Sequence, residues 1–319
     1  MDEERRPRPS IATEGPGGAA GAPLVYPVLS RRSGGLSIGV NLFPAGKACS
    51  FDCPYCEVFS ASARPSEERP GDKGASPIRD AADPISIARL EAELADFFDR
   101  AWAAEWAPEP VRDLCLSGEG EPTLSPSLEA AIAACDRARR ARPTLLGGAK
   151  LVLITNSTGF LDPAASAVLE RAVDEVGLEI WAKLDAGSEE LFRLMSGSAL
   201  SLERVAEGIL LFARKRSITI QTMLCDIPGR VPSIRDAREL GELLASLASG
   251  GARLSGVQAY TFARPTPGGG CAALSDGRLA ELAAEMSEAS GLPVRAFGAR
   301  GEIAPTIEPR RPGPERPGR

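Results

Sequence analysis

No histidine occurs in the 319 residues, and aromatic side chains make up only 5% of them. Without imidazole, any general acid or base must be Asp, Glu, Lys, Tyr, Cys or water. The same lack removes the usual companion of cysteine in zinc sites. No apolar run approaches the roughly 18 residues of a membrane-spanning helix, so no membrane association is expected. A basic excess is missing too: 43 acidic residues against 37 basic ones leave a net charge of −6. That excludes the general footprint of a phosphate-backbone binder and leaves room only for a local basic patch. The opening Met-Asp-Glu-Glu-Arg-Arg is charged where a secretory signal needs an apolar core. A cytoplasmic, reducing setting is the expectation.

What is present is an ordinary globular composition, 43% hydrophobic and 25% charged, on a chain long enough for one barrel-sized core. Residues 1–24 and 304–319 are dominated by Pro, Gly, Glu and Arg, as in Gly15-Pro16-Gly17-Gly18 and Arg310-Arg311-Pro312-Gly313-Pro314. Such stretches cannot bury a core, so disordered tails are expected on either side of one domain spanning 25–303. The stretch from Val58 to Ala82, rich in Ser, Arg, Gly and Pro, reads as a long loop.

Seven cysteines are present, and three of them, Cys49, Cys53 and Cys56, fall within eight residues in the run Cys-Ser-Phe-Asp-Cys-Pro-Tyr-Cys. An uneven count with no secretory signal argues against disulfides. A structural zinc site would use four ligands in paired knuckles, and no second Cys-x-x-Cys exists. Three thiolates at this spacing can wrap three irons of a [4Fe-4S] cube and leave the fourth open to a substrate or cofactor. The other four are scattered, which argues against an auxiliary cluster. Cys135 shares a helical stripe with Leu128 and Ile132 and reads as core. Cys115 falls low on a strand, and Cys225 and Cys271 lie at or beyond strand ends, where a thiol can return a hydrogen atom to a product radical.

Strand-like runs occur at Leu36–Phe43, Arg112–Ser117, Leu151–Asn156, Leu178–Asp185, Ile218–Leu224 and Gly256–Phe262, with a seventh at Val294–Phe297. Helical patterns separate them. The first takes Asp83 as cap and Pro84 in its first turn before Ile87, Leu90, Leu94 and Phe97. Parallel strands joined by crossover helices follow, in a partial (β/α)6 barrel or in a doubly wound open sheet. Strand parity bears on the choice: Leu178, Ile180, Ala182 and Leu184 share one face and Glu179, Trp181, Lys183 and Asp185 the other. Ser37, Gly39, Asn41, Thr219, Gln221, Gln258 and Tyr260 likewise oppose aliphatic neighbours. A sheet covered by helices on both faces would be almost all Val, Ile and Leu. One polar face therefore predicts a wet lumen, with the site where polar strand ends converge: Ser117, Asn156, Lys183, Asp185, Gln221 and Tyr260. With no histidine, Lys183 and Asp185 are the leading proton carriers.

The second of these strands runs into Ser117-Gly118-Glu119-Gly120-Glu121-Pro122-Thr123-Leu124. Together with the cysteine run one β/α unit earlier, this resembles the radical S-adenosylmethionine (SAM) superfamily, in which the open iron binds the methionine end of SAM and cleavage of the sulfonium yields a 5′-deoxyadenosyl radical. The resemblance implies a [4Fe-4S] cluster on Cys49, Cys53 and Cys56 and SAM at the carboxyl ends of the strands. Gly118, Gly120 and above all Glu121 would hold the SAM ammonium, and Tyr55 would lie against the adenine. Ser117, Asn156, Lys183 and Gln221 are further candidates for SAM contacts, and Lys183, Asp185 and Cys225 for catalysis. A flavodoxin- or ferredoxin-type donor would supply one electron. Over residues 30–300, the cysteine run with Glu57, Gly120-Glu121-Pro122-Thr123-Leu124, Lys183-Leu184-Asp185-Ala186 and Tyr260-Thr261-Phe262-Ala263-Arg264-Pro265 look like a group related to 4-demethylwyosine synthase, which builds a ring on a tRNA guanine with pyruvate. No cysteine precedes Cys49, and the chain is acidic. A small molecule, peptide or protein is therefore favoured as the unidentified substrate, with tRNA as the alternative. A non-catalytic barrel stabilised by a metal-bound cysteine triad is the remaining reading.

Overall fold

The computed structural model describes residues 22–58, 84–107, 109–263 and 270–304. The described chain opens with an antiparallel hairpin of β1 (Val25–Ser30) and β2 (Gly35–Val40). Next come β3 (Val111–Leu116), β4 (Lys150–Thr155), β5 (Leu178–Lys183) and β6 (Ile218–Met223), each parallel to the one before. β7 (Cys225–Asp226) leaves the sheet, β8 (Leu254–Tyr260) rejoins it beside β6, and β9 (Ala272–Ala273) pairs with β7 in a small ribbon. β10 (Val294–Gly298) adds in parallel to β8, and β11 (Gly301–Ile303) turns back on the far edge. All seven strands expected from the sequence are present as the parallel run β2-β3-β4-β5-β6-β8-β10.

The crossovers are helical: α1 (Ile87–Asp96), continued by a π-helical stretch Phe97–Trp106, then α2 (Leu128–Ala141), α3 (Pro143–Leu146), α4 (Pro163–Val176), α5 (Glu189–Ser196), α6 (Leu202–Ala213), α7 (Ile234–Ser249) and α8 (Asp276–Ser290). The expected cap Asp83 lies outside the described residues. The helix starts instead at Ile87, where the Ser86 hydroxyl accepts from the Arg89 N–H at 3.2 Å, a serine capping as well as an aspartate. The sequence did not announce β1, because Pro27 within Val25-Tyr26-Pro27-Val28 argues against a central strand. β1 sits at the sheet edge, where a residue without an N–H costs no ladder bond. Leu24, just before it, is fully buried.

Strand parity divides the interior into two cores. Leu36, Ile38, Val40, Leu114, Leu116, Leu151, Leu153, Leu178, Ile180, Ile218 and Ile220 face the helices in one large cluster, each fully buried side chain contributing about 1.5–3 kcal/mol. Cys115, Val152 and Trp181, with Ile154 against them, form a separate small cluster on the opposite face. There too Tyr26 lies over Gly39, where an added Cβ would come within 2.2 Å of the ring. The sheet curls into a half-barrel. Its first hairpin reaches its last strands: Arg31, in the β1–β2 turn, donates to the Thr261 carbonyl at 2.9 Å and to that of Gly298.

Apart from that small cluster, the lumen face carries the expected polar side chains, among them Ser37, Asn41, Gln221 and Gln258. A cavity of about 720 Å³ occupies the end where the strands begin, lined among others by Arg112, Asp113, Lys150, Glu179 and Arg295. Toward the carboxyl ends the polar side chains bond one another. Arg32 of the same turn joins them: it stacks 4.3 Å from the Tyr260 ring centroid and donates to Gln221 at 3.1 Å.

Candidate functional site

The cysteine loop follows β2 and is sewn to the loop after β3. Ala48, one residue before the first cysteine, donates its N–H to the Glu119 carbonyl at 3.3 Å and accepts from the Glu121 N–H at 2.8 Å. This seam needs Gly120: its φ is 153°, and a Cβ there would stand 2.2 Å from the Ala48 carbonyl oxygen. Further along, Ser50 bonds Thr158 after β4 at 2.8 Å, and the Asp52 N–H donates to Ser196 at the end of α5 at 2.7 Å. Three segments of the fold thus fix the loop at the carboxyl ends of β2, β3 and β4.

The Cys49 sulfur accepts from the Phe51 N–H at 3.4 Å and from the Asn156 amide at 3.5 Å. Burial pushes the Cys49 thiol up to about 11, with Glu121 adding to it, and the Cys53 thiol up to about 12 against the pull of Lys183. Lys47 is 11% exposed and ion-paired with Asp52 at 3.4 Å. Burial alone would lower its pKa, but the fields of Cys56, Cys49, Asp52 and Cys53 together raise it. Its ammonium therefore lies within electrostatic reach of all three thiols. Among the described residues no three Cys, Asp or Glu side chains crowd closely enough to chelate a single metal ion. The donors this loop offers are soft thiols, the ligand type that zinc and iron–sulfur clusters both take.

Glu121 is buried, and its two oxygens accept from the Thr123 N–H (3.1 Å), the Thr123 hydroxyl (2.8 Å), the Thr155 hydroxyl (2.7 Å) and the Asn156 N–H (2.6 Å). Desolvation raises its pKa against these donors. Its place is thus that of a tie between the ends of β3 and β4. Two buried polar atoms, Oε2 of Glu119 in the same turn and Nδ2 of Asn41 just after β2, have no hydrogen-bond partner among the described residues, while Asn41 Oδ1 takes the N–H groups of Phe43 and Glu119. Sequence reasoning put Asn41 on the lumen face but gave neither residue a role. Gly118 packs against Asn41. Ser117 Oγ meets the Tyr26 hydroxyl at 3.2 Å.

Deeper in the lumen, Lys183 Nζ donates to the Tyr260 hydroxyl at 2.8 Å and to Asp185 at 3.3 Å. Asp185 also accepts from the Met223 N–H at 2.8 Å and from the Tyr55 hydroxyl. Burial drives the Lys183 pKa down, yet Asp185, Tyr260 and Cys53 outweigh it and the net shift is upward. Lys183 thus stands between Tyr260 and Asp185 at the end of β5, the two residues the sequence places beside it. Burial and Asp185 raise Tyr55 in turn. Gln221, fully buried, spends its amide on Gln258 at 2.8 Å and on Arg32. Cys225 lines a water-sized cavity with Asp185, Met195 and Leu240, against α5 and α7. Cys271 bonds the Pro54 carbonyl within the cysteine loop at 3.4 Å. Arg264 and Pro265 lie outside the described residues. Arg32 and Lys47 were missed: Arg32 sits in a hairpin the sequence did not signal, whereas Lys47, two residues before Cys49, was legible as the lone cation of the loop.

This partial barrel of parallel strands is shared with a solved structure. Of solved structures, a radical SAM methyltransferase from Sphaerobacter thermophilus superposes with a TM-score of 0.55 at 14% identity, over 88% of this chain and 79% of that one. In sequence, the chain is similar to the "UPF0026 protein" of two Helicobacter pylori strains, J99 and 26695. Each is 26% identical, over 196 and 199 residues, or 59% and 60% of this chain. A further UPF0026 protein, slr1464 of Synechocystis sp., is 26% identical over 204 residues, covering 63% of this chain and 64% of its own length. The chain spans about half the length of the H. pylori relatives, 54% and 52%. No family model matches. Among the described residues no helix is long and apolar enough to cross a membrane.

Proposed function

We propose that the chain is a radical SAM enzyme, with Cys49, Cys53 and Cys56 holding three irons of a [4Fe-4S] cluster and SAM filling the fourth position. The observation that carries this reading is the seam at Ala48, which holds the three-cysteine loop against the Gly120-Glu121-Pro122 turn. The group's contribution, when bound, is a carbon-centred radical that abstracts hydrogen.

The residues present fit a zwitterionic methionyl end. Glu119 Oε2 is a buried acceptor and Asn41 Nδ2 a buried donor, both without partners, and an ammonium and a carboxylate would satisfy one each. Glu121 holds the two strand ends that frame them. Gly118 and Gly120 keep the turn free of side chains. Below, Lys183 stays protonated and orients an oxygen-bearing substrate, with Asp185 fixing the ammonium and Tyr55 and Tyr260 closing the sides. Asp185, joined to Tyr55 and Lys183, would be the proton carrier for a substrate bound there.

Anaerobic reconstitution with iron and sulfide, then dithionite and SAM, is expected to release 5′-deoxyadenosine, and Cys53→Ala to abolish it. A colourless protein without turnover would reject the enzyme reading in favour of a metal-stabilised binding barrel. In the cell a flavodoxin- or ferredoxin-type protein would supply the electron. A small molecule, peptide or protein is the proposed substrate class. Salt-sensitive tRNA binding and copurifying tRNA would move the assignment to tRNA modification.

A further inference from the structure

We infer that Asn156 tunes the reduction potential of the cysteine-held cluster by donating an N–H···S hydrogen bond to Cys49. It is a positioning residue, not a ligand of SAM, and the inference rests on the cluster reading above. The orientation of its amide is fixed by its neighbours. Oδ1 accepts from both the N–H and the hydroxyl of Thr158, at 3.0 and 2.8 Å, so the NH₂ group must point the other way. There it reaches Ser50 Oγ at 2.9 Å and Cys49 Sγ at 3.5 Å. Every polar atom of the side chain is engaged, which leaves nothing for a ribose or a carboxylate.

The backbone that presents this amide is strained. Ser157 has φ 73° and is the positive-φ residue other than glycine among the described residues. Such a conformation is unfavourable for a residue with a Cβ and persists only where its surroundings enforce it. Here they do: Ser157 Oγ donates to the Lys183 carbonyl and its N–H to Thr155 Oγ1, both at 3.0 Å. The preceding N–H, of Asn156 itself, is held by Glu121. The turn thus ties β3, β4 and β5 together and aims one amide at one sulfur. The Phe51 N–H is a second donor to the same sulfur. Donors at a ligand sulfur stabilise the electron-rich state of a cluster, so removing one makes reduction harder.

The test is an EPR-monitored potentiometric titration of the full-length, reconstituted protein without SAM. Asn156→Asp keeps the oxygen that serves Thr158 and replaces the donor by a negative charge, so it tests the contact in an intact turn. Asn156→Leu removes both. Loss of one such bond changes the ratio of reduced to oxidised cluster at a set potential by about tenfold, or about 59 mV for a one-electron couple. Asn156→Leu is expected to move the midpoint negative by that amount, and Asn156→Asp further. An unshifted midpoint in Asn156→Asp with a normal cluster spectrum overturns the inference alone, and weakened SAM binding in its place would mark Asn156 as a cofactor ligand. A parent protein that takes up no cluster sinks both this inference and the enzyme reading.

Discussion

Lys47 places a positive charge, only 11% exposed, within reach of three thiols. A cluster on those thiolates carries net negative charge that grows on reduction, so a nearby cation favours the reduced form. Lys47→Met is expected to lower the midpoint potential, with Lys47→Arg restoring most of it, as read by the same redox titration. Cluster content should hold, because Lys47 ties down no strand end. Glu121 differs from it in kind. Four donors converge on its oxygens, and Glu121→Gln would turn an NH₂ toward at least one of them. An unmade buried bond costs about 1–3 kcal/mol. The variant should unfold at a lower urea midpoint by that measure while SAM binds the folded fraction with nearly the parent affinity. A large loss of SAM affinity without destabilisation would instead restore Glu121 to the ammonium site that its motif suggests.

At the level of elements, the strands were legible because an apolar face at period two survives any crossover. Leu178, Ile180 and Ala182 read directly as the helix-facing side of β5. The hairpin strand β1 was not, since Pro27 and the absence of clean alternation look like loop until an edge position makes them acceptable. The contacts of the site were legible only as positions. Parity put Lys183, Gln221 and Tyr260 on one face, but the partner that fills their lumen, Arg32, comes from a turn some 150 residues or more away in sequence. The seam between the cysteine loop and the turn after β3 is an element-level device as well, and Gly120 is its narrowest point. Gly120→Ala forces a Cβ into the Ala48 carbonyl and should cost about 1–3 kcal/mol. Its expected sign is reduced iron per protein after reconstitution, with far-ultraviolet circular dichroism unchanged. Full iron loading in this variant would show that the loop does not depend on the seam.

Over the whole molecule, stability depends on how the half-barrel tolerates buried carboxylates. Asp113 stands on the lumen side of β3, 1% exposed, bonded to Ser37. Desolvation raises its pKa above the usual 3.8, with Ser33, Ser37 and the more distant Arg32 and Lys150 opposing the shift only in part. Between the ordinary and the raised value, the folded chain keeps a proton that the unfolded chain has released, so folding stability falls as pH rises through that window. Below 3.8 both states hold the proton and the penalty vanishes; above the raised value it is present in full. Asp113→Asn keeps an oxygen for Ser37 and removes the charge. It should melt at a higher temperature than the parent at pH 7, and the two melting curves should converge as the pH approaches 3.8. Exposed carboxylates such as Glu189 and Glu302, held below their usual range by a backbone N–H or an arginine, slope the other way, but they do so equally in parent and variant and cancel in the difference. A variant that melts below the parent at pH 7 would mean that the carboxylate is stabilised by Arg32 and Lys150 across the lumen, and that the cavity at the start of the strands is organised around an ionised Asp113.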